Sequence, residues 1–178
     1  MNMDQPLIIR QAQESDTEAL SELAIKTYVD AYGHSFSDSD LAWHLEKHLV
    51  SSRFARIISE DIVLVAEIGG RIIGYVQLGA ANTFSDRKED RELRRLYVHP
   101  EFQNQGYGGS LMDAALHHPV MNDAVRIYLD VWEQNPAAKR FYQRYGFEVV
   151  GARRFEVRSG ALTSLDLIMV HLARPASL

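Results

Sequence analysis

Apolar residues recur along the chain with two different periods, and the changes of period divide it into elements. LIIRQA, Leu7 to Ala12, reads as a short strand. Ser15 and Glu18 in SDTE stand at capping-box spacing. Behind them Leu20, Leu23, Ala24, Thr27, Tyr28 and Ala31 repeat at the helical period. The polar break YGHSFSDSD ends that helix, and Ser37 or Asp38 can cap a second one through Leu41, Leu45 and Leu49. The period then becomes that of a sheet. DIVLVAEI and RIIGYVQLG are β-rich runs joined by Gly69-Gly70, a hairpin signal. A polar connection, ANTFSDRKED, leads to the strand ELRRLYV, and a glycine stretch opens a helix through Leu111, Met112, Ala115 and Leu116. AVRIYLDVW is a strand apolar enough for a central position. NPAAKRFYQRY predicts a short helix, with Asn135 as N-cap, Pro136 in the first position and Gly146 at C′. FEVVGARRFEV and LTSLDLIMVHL close the chain as strands.

The order β-α-α-β-β-β-α-β-α-β-β, without repeats or linkers, predicts one α/β domain over 1–178, its core at about 7–172, built on a mixed sheet. The 178 residues are 46% hydrophobic, enough for a sizeable core. The net charge of −5 argues against a nucleic-acid partner, which wants a basic face. There is no cysteine, so disulfides, thiolate metal sites and a cysteine nucleophile are excluded. The opening residues lack the basic and apolar regions of a secretory signal, and no apolar run approaches a membrane span. The expectation is a soluble, cytoplasmic protein that binds no membrane.

Gly106, Gly108 and Gly109 stand where a helix starts, although glycine inside a helix costs roughly 1 kcal/mol relative to alanine. A strand, a tight polar loop and a glycine-rich helix start together make an anion site, because the first amides of a helix point outward and carry its dipole. The dinucleotide fingerprint needs a glycine where Leu111 stands, and the P-loop needs Gly-Lys-Ser/Thr. A phosphorylated ligand held outside the standard nucleotide motifs is one reading; a loop whose glycines serve turn geometry alone is the other.

QNQGYG, Gln103 to Gly108, resembles the Q/R-x-x-G-x-G/A pyrophosphate signature of the GCN5-related N-acetyltransferase (GNAT) superfamily. NPAAKRFYQRYGF, Asn135 to Phe147, resembles that superfamily's N-x-x-A-x-x-F-Y-x-x-x-G-F segment, in register with the first. VWEQNPAAKRFYQRYGFEVVGARRF followed by LDLIM is similar to the PaiA-type polyamine (spermidine/spermine) acetyltransferases. TYVDAYG and LAWHL are similar too, more faintly. Asn104 departs from the pattern, since many relatives carry glycine there.

The resemblance implies the GNAT acyl-CoA N-acyltransferase fold and acetyl transfer from acetyl-CoA to a primary amine by direct attack in a ternary complex. Its cofactor-binding residues are Leu96, Tyr97, Val98, Gln103, Asn104, Gln105, Gly106, Tyr107, Gly108, Gly109, Asn135, Ala138 and Tyr142. Amides of the Gln103–Gly109 loop would hold the pyrophosphate of coenzyme A; those of Leu96 and Val98, the acetyl carbonyl and pantetheine arm. Asn135 resembles the asparagine that bonds that arm, although Asn-Pro also starts a helix on local grounds. Tyr142 resembles the tyrosine that protonates the departing thiolate; on the helical stripe Ala138, Phe141, Tyr142, Tyr145 it also reads as a core aromatic. Glu92, eleven residues before Gln103, matches the general base of the histone-acetylating branch, yet DRKEDRELRR is also a charge run of the kind that forms a solvated face. Glu133 is a second candidate base. His44 and His48 share an i, i+4 spacing, but no third ligand stands with them, so no metal is expected.

A small-molecule amine, a polyamine among the choices, is the expected partner, and the sequence leaves room for a homodimer. Protein N-termini, lysines and other small amines are the rival acceptors, and a non-catalytic acyl-CoA-binding regulatory module is the rival class. For the polyamine, Tyr28, Asp30, Tyr32, Phe36, Asp38, Asp40 and Trp43 combine aromatic faces with carboxylates.

Overall fold

The structure is a computed structural model and describes residues 5–155 and 164–173. The chain termini, and the facing ends of the last two predicted strands at 156–157 and 162–163, lie outside the described residues. Seven strands form one mixed sheet of order β1-β2-β3-β4-β5-β7-β6, accompanied by helices. Their contacts gather into two compact units, Met1–Leu78 with Arg95–Leu116 and Gly79–Arg94 with His117–Leu178.

In the first unit β1 (Leu7–Gln11) runs antiparallel to β2 (Ile62–Ile68), which pairs in turn with β3 (Arg71–Ala80). Gly69 and Gly70 both have positive φ, 60° and 79°, the two-residue turn whose twist matches the strands. Helix α1 (Thr17–Tyr32) buries Leu20, Leu23, Ala24, Thr27 and Tyr28, as its period predicts. Its start differs from the expected Ser15/Glu18 capping box: a 3-10 turn, Glu14–Asp16, comes first, and Asp16 accepts the Gln13 N–H at 2.7 Å. Arg10 completes that corner, donating to Asp16 at 2.7 Å and holding its carboxyl below the usual carboxylate range. Helix α2 (Asp38–His48) is capped by Ser37, whose hydroxyl accepts the Asp40 N–H at 3.2 Å.

A third helix, α3 (Ser51–Glu60), stands where no element was expected. Phe54, Ile57 and Ile58 carry the helical spacing that marks it; Phe54 and Ile57 are buried, and Ile58 packs against the same core. That core joins residues of α1 and α3 to Val63, Val65, Ile72 and Tyr75 of the sheet.

Strand β4 (Arg91–Val98) belongs to both units. In the second unit its parallel ladder to β5 (Arg126–Trp132) is confined to Arg91 and Glu92. β5 then pairs antiparallel with β7 (Ser164–Leu172), and β7 with β6 (Glu148–Phe155). Helix α4 (Tyr107–His117) begins in the first unit; the single turn α5 (Pro119–Asn122) and α6 (Pro136–Arg144) lie in the second.

Candidate active site

The predicted site residues divide between the units. Leu96, Tyr97, Val98 and Gln103 through Gly109 lie in the first; Glu92, Asn135, Ala138 and Tyr142 lie in the second.

At the end of β4 the His99 N–H donates to the Ile73 carbonyl of β3 at 2.8 Å. Backbone groups alternate along a strand, so Leu96 and Val98 turn theirs away from β3. The Val98 carbonyl, on that same side, accepts the Gln103 Nε2 at 3.0 Å. Gln103 thus fixes the strand end through its side chain, a role its place in the motif did not foretell.

A 3-10 turn, Pro100–Phe102, follows, and then the backbone turns left-handed twice, at Asn104 (φ 60°) and Gly106 (φ 89°). Asparagine is among the few residues that tolerate this region, so it can hold this position of the loop without a glycine. A Cβ on Gly106 would meet nothing within 4 Å, so its conformation, not crowding, calls for glycine. Ser110 N–H to Gly106 carbonyl, 3.1 Å, is the first bond of α4. The amides of Tyr107 and Gly108 before it belong to a first turn that a helix cannot satisfy internally.

Side chains that the sequence did not mark brace this loop. Phe102 contacts the rings of His99 and Tyr107 at 6.0 and 6.1 Å, and the Arg71 guanidinium lies over it at 5.3 Å. Gly74 of β3 allows the close packing beneath: a Cβ there would lie 2.9 Å from the Tyr97 carbonyl and 3.0 Å from Leu111.

In the second unit Asn135 caps α6, its Oδ1 accepting the Ala138 N–H at 3.0 Å. Ala138 therefore spends its amide on the cap. The helix ends in a Schellman motif: Phe147 N–H reaches the Tyr142 carbonyl at 3.2 Å, and Gly146 N–H the Gln143 carbonyl at 3.0 Å. Gly146 takes the expected left-handed C′ conformation at φ 79°. Tyr142 is buried, its ring 6.0 Å from Phe147 and 5.4 Å from Phe141.

Glu92 is buried too, with Arg94 Nε 3.8 Å from its carboxylate, and so leaves the solvated face that Asp86 to Glu89 form before it. Glu133 is exposed in the β5–α6 turn. Beside it on the strands, Asp166 is pushed up to about 6 by burial and by the charge of Asp130, against the pull of Arg153, which pairs with Asp130. The sequence did not mark Asp130 and Asp166.

The aromatic and acidic set proposed for an acceptor is largely committed elsewhere. Tyr28 belongs to the core, and Tyr32 and Phe36 pack against it. Asp40 is buried and accepts the Ser37 hydroxyl at 2.8 Å. Lys47 already lies over the Trp43 ring at 4.4 Å. His44 stacks on Tyr28 at 4.3 Å, and its ring lies 4.7 Å from that of His48. Burial first, then the charges of His48 and Arg95, bring His44 down to about 4. Among the described residues no three His, Asp or Glu are placed to hold a metal, and no helix is long and apolar enough to cross a membrane.

The mixed sheet, with a parallel ladder that stops after two residues and a left-handed loop entering a helix, defines the acyl-CoA N-acyltransferase class of fold. The profile of the acetyltransferase (GNAT) family matches residues 17–147, and the chain belongs to that family of N-acetyltransferases acting on amines. An uncharacterized N-acetyltransferase of Mycobacterium tuberculosis is 32% identical over 158 residues, 88% of this chain and 97% of the relative. A Bacillus subtilis subsp. natto protein named "Probable spermine N(1)-acetyltransferase" is 32% identical over 89 residues, 48% of this chain and 59% of that one. In fold the chain is similar to the crystal structure of the PaiA N-acetyltransferase of Thermoplasma acidophilum in complex with coenzyme A. The TM-score is 0.77 at 22% identity, covering 94% of this chain and 99% of that one.

Proposed function

We propose that the chain, as one N-acetyltransferase domain, moves the acetyl group of acetyl-CoA to a primary amine by direct attack in a ternary complex. The observation that carries this reading is the backbone of Gln103–Gly109, where left-handed Asn104 and Gly106 turn a strand end into the first turn of α4. Outward amides at a helix start suit a pyrophosphate, and the open space at Gly106 leaves room for one. The coenzyme A in the Thermoplasma structure supports the choice of ligand.

The roles then follow from chemistry. Amides of the loop hold the pyrophosphate, and Asn135 and Ala138 line the pantetheine arm. The Glu92 carboxylate, or a water, takes a proton from the ammonium so that its nitrogen can attack the acetyl carbon. Amides of Leu96 and Val98 receive the charge that builds on the carbonyl oxygen. As the carbon–sulfur bond breaks, the Tyr142 hydroxyl gives its proton to the thiolate, and the second proton, which the attacking nitrogen sheds as the amide forms, passes through solvent to restore the hydroxyl. No step calls on a metal.

Free-thiol release from acetyl-CoA across a panel of primary amines tests this. Turnover with at least one amine is expected. No turnover with any amine, alongside a retained thermal shift by acetyl-CoA, would favour the non-catalytic binding module. A polyamine acceptor is a second reading, supported by the name of the natto relative and by the carboxylates Asp130, Glu133 and Asp166. It predicts a spermidine KM that rises with ionic strength, since exposed charge attraction is screened over about 10 Å.

A further inference from the structure

Two half-exposed arginines of the first unit are treated in opposite ways. Arg10 faces two carboxylates, Asp16 at 2.7 Å and Glu67 at 2.8 Å. Arg95, on β4, donates to the neutral Gln77 Oε1 at 2.8 Å and meets no carboxylate among the described residues. The Gln77 amide is itself fixed, its Nε2 donating to Asp61 at 2.6 Å, so its oxygen stays turned to Arg95.

In this hydrogen-bonded network the one carboxylate, Asp61, meets Arg95 only through the Gln77 amide. After burial, the charges of Lys47, Arg95 and Arg53 keep His48 below its ordinary value, and Arg95 acts in the same sense on His44. Tyr75, which also feels the charge of Arg95, is wholly buried with no hydrogen-bond partner for its hydroxyl, and its ring lies 5.8 Å from that of Tyr97. A half-exposed guanidinium still has donors to offer, and a carboxylate takes them in charge-assisted pairs. Here it spends one of five donors, in a fork shaped for a carboxylate.

We infer that Arg95, with His48 beside it, binds a carboxylate carried by the amine acceptor. The inference rests on the acetyltransferase reading, because Arg95 and Tyr97 flank Leu96, whose amide is there assigned to the acetyl carbonyl. Spermidine has no anion to offer, and as a polycation it would be repelled by Arg95, Lys47 and Arg53. An acceptor that joins a primary amine to a carboxylate meets both demands.

Turnover of 4-aminobutyrate and glutamate, measured against n-butylamine and spermidine, tests the proposal. The carboxylate-bearing amines should show kcat/KM about 10- to 100-fold above the neutral amine, the scale of a hydrogen bond to a charged group. Arg95→Met should erase the preference, and Arg95→Lys should keep part of it. The thermal shift by acetyl-CoA should persist in both. Equal values in the native protein, a preference for spermidine, or a preference that survives Arg95→Met would overturn the proposal. If Arg95→Met does not fold, His48→Gln should lower the preference several-fold, and an unchanged preference overturns it. If no amine is acetylated at all, the acetyltransferase reading fails separately. The carboxylate site then stands if 4-aminobutyrate shifts the His48 imidazole resonances and n-butylamine does not, and falls if neither does.

Discussion

The two segments that carry the family resemblance are built in contrasting ways. In Gln103–Gly109 the backbone is the unusual part, with two left-handed residues, one of them asparagine, before a helix start. In Asn135–Phe147 the backbone is orderly. Asn135 caps, Pro136 opens, Gly146 and Phe147 close a Schellman motif, and Tyr142 packs against Phe147. Local stability accounts for nearly every residue of the second segment and leaves the conformation of the first unexplained. A strained conformation with open space beside it points to a ligand; a well-capped helix can carry a catalytic group without any local sign of it.

That contrast yields predictions. The largest is at Tyr142, the residue of the helix proposed above to protonate the departing thiolate. Tyr142→Phe keeps the ring and its contacts, so the melting temperature should stay within a few degrees while kcat falls about 10²-fold or more. Unchanged turnover would make Tyr142 a core aromatic, and the contrast between the segments would then be complete. Next comes Gly146→Ala. It forces alanine into φ 79° with its Cβ 3.2 Å from His171 Nδ1, so stability should drop by about 1–2 kcal/mol in denaturant melts. The thermal shift by acetyl-CoA should survive that loss; its disappearance would mean that the helix end, too, is shaped for the ligand. The smallest effect is at Asn104. Asn104→Gly keeps the left-handed turn at little cost, so stability should change by less than about 0.5 kcal/mol and acetyl-CoA affinity should hold. A large loss of affinity would give the Asn104 side chain a direct part in binding.

The same contrast explains what could be read from the residues. Strands and long helices announced themselves by period, and the Gly69-Gly70 turn and both ends of α6 by their punctuation. Helix α3 was hidden because its apolar stripe is only Phe54, Ile57 and Ile58, and it follows α2 after two residues. The start of α1 was misread because Arg10 and Asp16, six residues apart, meet only when β1 and the turn are folded. Nothing in the sequence marks Gly74, since the Tyr97 carbonyl and Leu111 that demand it lie elsewhere in the chain. Within the candidate site, glycine spacing marked the loop. Its braces, Gln103 on Val98 and Phe102 under Arg71, carry no motif. Arg95 was concealed in a charge run, and its lack of a carboxylate is a fact of three dimensions.

Titration calorimetry of acetyl-CoA against the native chain and Gly106→Val tests the central claim most directly, because that substitution touches the left-handed loop and no packed neighbour. A saturable, one-to-one binding isotherm for the native protein, weakened at least about tenfold in a folded Gly106→Val variant, is the predicted result. Equal affinity in the two proteins, or no binding to either, would contradict the assignment of the loop to the pyrophosphate of coenzyme A.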